Sequence, residues 1–135
     1  NKLKWNLRIL IFKGEIVKIK LFYILKSKDI LEKLGSMKFD DGLTCYKIAR
    51  NIKNINPELA NFENIKKDLI TKYGNKEGDN ITVSQDNMDE YNKQINEILQ
   101  QEIEINILPL SPEKLSGISP FDFLALDFML VSEQT

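Results

Sequence analysis

The sequence predicts an α+β fold: a long helix paired with a second, antiparallel helix, a small sheet of two or three strands, and a C-terminal apolar helix. Three observations carry this. Apolar residues recur at Ile48, Ile52, Ile55, Leu59, Phe62, Leu69 and Tyr73, in steps of four, three, four, three, seven and four. That is the repeat of a helix presenting one seam to its neighbours, broken only at Lys66. Val17, Ile19 and Leu21 alternate with Lys18 and Lys20, and Ile103, Ile105 and Ile107 alternate with Glu104 and Asn106. Alternation of this kind marks strands with one apolar face. Two Ser-Pro pairs, Ser111-Pro112 and Ser119-Pro120, open short helical segments near the end.

The long helix is expected over 43–73. Asp40 or Asp41 caps its start, and Gly74 follows Lys72 as its stop. Pro57 lies inside it. Proline costs about 3 kcal/mol in a helix interior, so either Asn56 caps a second helix or one helix continues with a kink. The seam keeps phase from Ile55 to Leu59 and puts Pro57 on the solvent side, which favours the kinked helix.

The other elements follow in order. Residues 5–22 read as two β-rich runs around Lys13-Gly14-Glu15, a hairpin. A second reading has equal standing. In an AT-rich gene Lys13-Gly14-Glu15 encodes the core of a bacterial ribosome-binding site, and Val17 fits a GUG start. Residues 1–16 are then an untranslated leader rather than an extra strand, and 17–135 form a single α+β domain. Ile24, Leu25, Ile30, Leu31 and Leu34 make 23–34 a short amphipathic helix stopped at Gly35. Residues 75–80 are a polar, turn-rich link, and Ile81-Thr82-Val83 a short strand. Ser84 or Asp86 caps a helix over 86–100, with Met88, Tyr91, Ile95, Ile98 and Leu99 facing the long helix. The strands 81–83 and 103–107 are expected to share a sheet, with 17–22 as a third member. Gly117 closes the helical turn opened at Ser111, and Asp122 lies in the first turn of the last helix.

The 135 residues are one domain's worth, 42% hydrophobic and 29% charged, with a net charge of −1. That charge excludes a globally basic nucleic-acid binder. Without histidine the chain lacks the commonest general base and metal ligand, and no Ser/His/Asp or Cys/His set is possible. Cys45 alone allows no intrachain disulfide, and its place near the seam reads as a core cysteine. No phosphate-cradling glycine loop is present. Asp40-Asp41 and the Asp86/Asp89/Glu90 group could hold a divalent ion, but helix capping explains both. No apolar run reaches the ~18 residues that span a bilayer. We therefore expect a non-enzymatic protein of the bacterial cytoplasm, with no cofactor, no metal and no membrane span.

Two surface features remain. The last helix carries Phe121, Phe123, Leu126 and Leu130 around more than one face, so these residues are the candidate protein interface for a partner or a second copy. Lys47, Arg50 and Lys53, with Tyr46, form a basic patch at helical spacing. Residues 1–38 hold ten Lys/Arg against three acids, and residues 77–135 hold twelve acids against Lys93 and Lys114. Two such ends either fold against each other or leave a basic face for nucleic acid.

From Val17 onward the chain resembles a family of small phage and prophage proteins of unknown function from AT-rich Gram-positive bacteria. The resemblance lies in Lys18-Ile-Lys-Leu, in Tyr46-Lys-Ile-Ala-Arg-Asn-Ile-Lys, in Leu69-Ile-Thr-Lys-Tyr-Gly, in Tyr91-Asn-Lys-Gln-Ile-Asn-Glu-Ile-Leu, and in Ile118-Ser-Pro with Leu124-Ala-Leu-Asp-Phe-Met. It covers nearly all of 17–135 and has no counterpart for 1–16. These are packing and capping motifs, and they bring no catalytic residues across. Genes of such a family tend to lie near tail and lysis genes, which implies an accessory or morphogenesis role through contact with a phage or host protein, in the host cytoplasm or with the virion. The alternative is an accessory factor that binds nucleic acid through the basic N-terminal part.

Overall fold

The computed structural model describes residues 14–131. The first half of the expected hairpin, and so most of the 1–16 segment, lies outside the described residues. The alternating run forms strand β1 (Glu15–Lys20), which pairs antiparallel with β4 (Glu102–Ile107). Val17 lies opposite Ile105 and Ile19 opposite Ile103, on the core side. On the other face Lys18 lies opposite Glu104 and Lys20 opposite Glu102, with Lys18 Nζ 3.6 Å from Glu102 Oε2. Here the basic front and the acidic back of the chain meet.

The segment after β1 is two helices, α1 (Leu21–Lys26) and α2 (Lys28–Ser36), where one was expected. They part at Ser27, which is fully buried. Its hydroxyl donates to Ile24 O at 2.7 Å, a local bond that competes with helix continuation. Gly35 does not stop α2. The helix runs to Ser36, whose hydroxyl turns back onto Lys33 O, and leaves through extended Met37.

Helix α3 (Gly42–Tyr73) runs unbroken for 32 residues, about 48 Å. Asp41 caps it, accepting the Thr44 N–H at 3.2 Å. Pro57 is inside the helix and exposed, so water can serve the Lys53 carbonyl that loses its N–H partner. Ile48, Ile55, Leu59, Phe62 and Leu69 of the seam are buried. Ile52, Lys66 and Tyr73 are half-buried. The long helix does not meet one partner helix along its length; it contacts α1, α2 and β4, and also the two strands and the helix that follow α3 in the chain. The core cluster accordingly joins Ile24 and Leu34 to Ile55, Ile107, Leu126 and Met129.

Strands β2 (Gly74–Glu77) and β3 (Asn80–Val83) pair as a hairpin of their own. The polar link expected at 75–80 is thus half strand. Gly78, at φ +64°, takes the first of the two turn positions, the one a type II′ hairpin reserves for glycine. Gly74 ends α3 in an extended conformation rather than a left-handed one. Glycine is needed for another reason: a Cβ there would run into Ile70 O and lie 2.6 Å from Ile81 Cγ2. The hairpin is a second sheet, not a continuation of β1–β4.

Helix α3 meets the end of β4 on its edge away from β1. Asn51 of α3 is fully buried, donates to Leu108 O at 2.9 Å and accepts the Leu108 N–H at 2.8 Å. One turn on, Asn54 donates to Asn106 O at 3.0 Å. Side-chain amides therefore serve the backbone of Asn106 and Leu108, at the end of this edge.

Helix α4 (Gln85–Leu99) buries no residue fully. It meets the end of α3 at Tyr73, whose hydroxyl accepts from Gln94 at 2.6 Å and whose carbonyl accepts from Asn87. The expected last helix over 120–131 is much shorter. Helix α5 (Pro120–Ala125) gives way to a 3₁₀ turn (Asp127–Met129), and extended Leu130 bridges Leu110 in parallel. Leu110 N–H donates to Met129 O at 2.7 Å and Val131 N–H to Leu110 O at 2.8 Å. These bonds tie the end of the chain to the segment after β4 and prevent helix continuation.

Candidate protein interface

Ser119 starts α5 with a reciprocal cap. Its hydroxyl accepts the Asp122 N–H, and its own N–H donates to Asp122, each at 3.1 Å. That backbone bond, with Lys33 3.5 Å away, holds the Asp122 carboxyl below its ordinary pKa. The cap fixes the helix direction, and the direction decides which apolar residues point out. Phe121 is 82% exposed and Leu124, three residues on, 71%. Phe123 is half-buried and so is Leu130. Leu126 is fully buried with Met129 and belongs to the core. Of the four expected interface residues, then, Phe121 is largely exposed, Phe123 and Leu130 are partly so, and Leu126 is buried in the core. Leu126 lies five residues after Phe121, about 140° round the helix, and its N–H still donates to Asp122 O at 3.0 Å, so ordinary helical spacing turns it to the core.

Phe121 and Leu124 stand beside an open groove of about 890 Å³. Ile19, Tyr23, Ala125 and Phe128 complete its apolar lining, and Lys26 and Asp127 contribute its charges. Tyr23 is half exposed, and Phe22 beside it meets it edge to face while receiving Lys26 Nζ 5.0 Å above its ring. Sequence reasoning missed Leu124, Tyr23 and the two charges. The spacing from Phe121 to Leu124 was the available signal. Nothing in the order of residues places α1 beside α5.

The basic residues are arranged differently. Lys47 and Arg50 are half-buried on α3 and Lys53 is exposed. Lys47, with Lys114, adds its charge to the Thr44 hydrogen bonds that hold the Asp41 carboxyl below its ordinary pKa. Lys18 and Lys33 face Glu102 and Asp122. The basic front thus spends part of its charge on the acidic back. Cys45 is exposed rather than in the core, because the helical register turns Thr44 and Ile48 inward. Its thiol lies 3.5 Å from Phe39 O. Asp41 serves as a cap, and among the described residues no three His, Cys, Asp or Glu side chains converge as a metal site. No helix among the described residues is long and apolar enough to cross a membrane.

Compared with protein families, with curated proteins and with solved structures, the chain matches none.

Proposed function

We propose that this protein acts without catalysis, by binding another protein through the face built from α1 and α5. The observation that carries this is the exposure of Phe121 and Leu124 beside an apolar groove. Large apolar groups held out in water on a capped helix cost solubility, and burying each against a partner contributes about 1.5–3 kcal/mol. In this reading α4 is the antiparallel support that steadies the end of α3, and the short α5 replaces a longer apolar helix as the binding element. The sequence resemblance supports an accessory or morphogenesis role in a phage, with a phage or host protein as partner. The pairing of Lys18 and Lys33 with acidic residues leaves the nucleic-acid alternative less support.

The test is a pull-down from infected host cells with wild type and with Phe121→Ser/Leu124→Ser. The pair of substitutions should abolish capture and leave the melting temperature within a few degrees. Partners retained by the double variant would refute the assignment. A salt-dependent shift of labelled DNA or RNA, lost when Lys18, Lys20 and Lys28 of the N-terminal part are replaced by Gln, would establish the alternative instead.

A further inference from the structure

We infer that the groove face is a two-fold interface and that its occupant is a second copy of this chain. The inference rests on the protein-binding reading above and names the partner. An isologous interface needs one patch that complements itself, so that each residue meets a different residue of the other copy and is met by its equivalent in turn. This patch carries both halves of each match. Phe121 is exposed at the wall of the groove, and Ile19, Tyr23 and Phe128 form the rest of an apolar recess. Lys26 and Asp127 line the same groove with opposite charges; Lys26 lies over the Phe22 ring, and neither is in an ion pair among the described residues. In the dimer we infer, each Phe121 enters the other copy's recess and each Lys26 meets the other copy's Asp127. A partner that were purely anionic or purely cationic would leave one of these charges opposed. The near-zero net charge removes long-range repulsion between copies.

Sedimentation velocity across a concentration series tests this on the full chain. The mass should rise toward twice 15.7 kDa with concentration. Lys26→Glu and Asp127→Lys should each weaken the dimer at least tenfold, and the double reversal Lys26→Glu/Asp127→Lys should restore it. Phe121→Asp should be monomeric. Circular dichroism melts accompany each variant, and the restored double variant excludes misfolding as the cause. A monomer at every concentration overturns the inference, as does a dimer indifferent to both single reversals. If the wild type is monomeric while Phe121→Ser/Leu124→Ser still loses its captured protein, self-pairing fails and the protein-binding reading stands. If capture is also unaffected, both fail.

Discussion

Replacing Asn51 by leucine isolates the contact that seals the sheet against the long helix. The side chain is fully buried and serves both the N–H and the C=O of Leu108, at 2.8 and 2.9 Å. Leucine fills a similar volume and serves neither. Each buried backbone group left unpaired costs about 1–3 kcal/mol, so Asn51→Leu should lose about 2–6 kcal/mol. The unfolding entropy of a domain this size is about 0.28 kcal/mol per degree, so the melting temperature should fall by about 7–21 °C. Asn54→Ala is the control. Its bond to Asn106 O is exposed, water replaces it, and the loss should stay below about 1 kcal/mol. Asn51→Asp adds a sign. A buried carboxyl is pushed above its ordinary pKa, and its protonated form reproduces both amide bonds. The folded state then holds its proton at higher pH than the unfolded chain does. That stabilisation is present at low pH and is lost as pH rises through the folded value, so Asn51→Asp should melt higher in mild acid than at neutrality. Thermal melts followed by far-ultraviolet circular dichroism measure all three. An Asn51→Leu protein within 2 °C of wild type would refute the reasoning.

Ile55, fully buried in the seam, should cost about 2–5 kcal/mol as Ile55→Ala, whereas Lys66→Leu at its half-buried position should be neutral or mildly stabilising; denaturant unfolding gives both, and equal stabilities of wild type and Ile55→Ala would show the seam unburied. Gly74→Ala forces a Cβ against Ile70 O and Ile81 and should cost about 1–3 kcal/mol, while Gly42→Ala, with nothing within 4 Å, should be neutral or better; the reverse order in urea midpoints would contradict the close packing of the hairpin on the helix end. Asp41 and Asp122 titrate below their ordinary value of 3.8 when folded. As pH falls through 3.8 the unfolded chain takes up protons first, and the stability they contribute is lost as pH falls on through the lower folded values. Asp41→Asn should flatten the acid side of the melting-temperature profile between pH 2 and 6, and an unchanged slope would count against the cap. Removing residues 1–16 deletes the Glu15–Ile107 and Ile16–Asn106 pairs and keeps Val17–Ile105 and Ile19–Ile103. The shortened protein should still unfold cooperatively, and a broad, non-cooperative melt would show otherwise.

The seam of α3 was legible because burying one helical stripe forces a repeat that any sequence must display, and Ile48, Ile55, Leu59, Phe62 and Leu69 display it. Strands β1 and β4 were legible for the same reason at period two. Asn51 was not, because an asparagine in a helix reads as surface unless its distant partner is known. Strand β2 was hidden because Gly-Asn-Lys-Glu buries almost nothing and is held by its backbone pairing with β3. The break at Ser27 depends on one hydroxyl choosing a backbone carbonyl. At the candidate interface, Phe121 was visible from its apolar surroundings. Leu126 and Leu124 are as apolar as their neighbours, and in so apolar a helix composition does not say which side turns to the core.

The pairing of β1 with β4 has a kinetic side. Glu15 meets Ile107 across about 90 residues of chain, and closing a loop of that length costs about 4 kcal/mol of chain entropy before the first rung forms. A ribosome working at about 5–20 residues per second leaves β1 without its partner for about 5–20 s. For that interval Val17 and Ile19 are an exposed strand face, open to other nascent chains. Lys18 and Lys20, spaced between them, repel a second copy of the same strand through the wait. Their later positions opposite Glu104 and Glu102 turn the charges that kept the waiting strand apart from its own kind into those that admit the correct one.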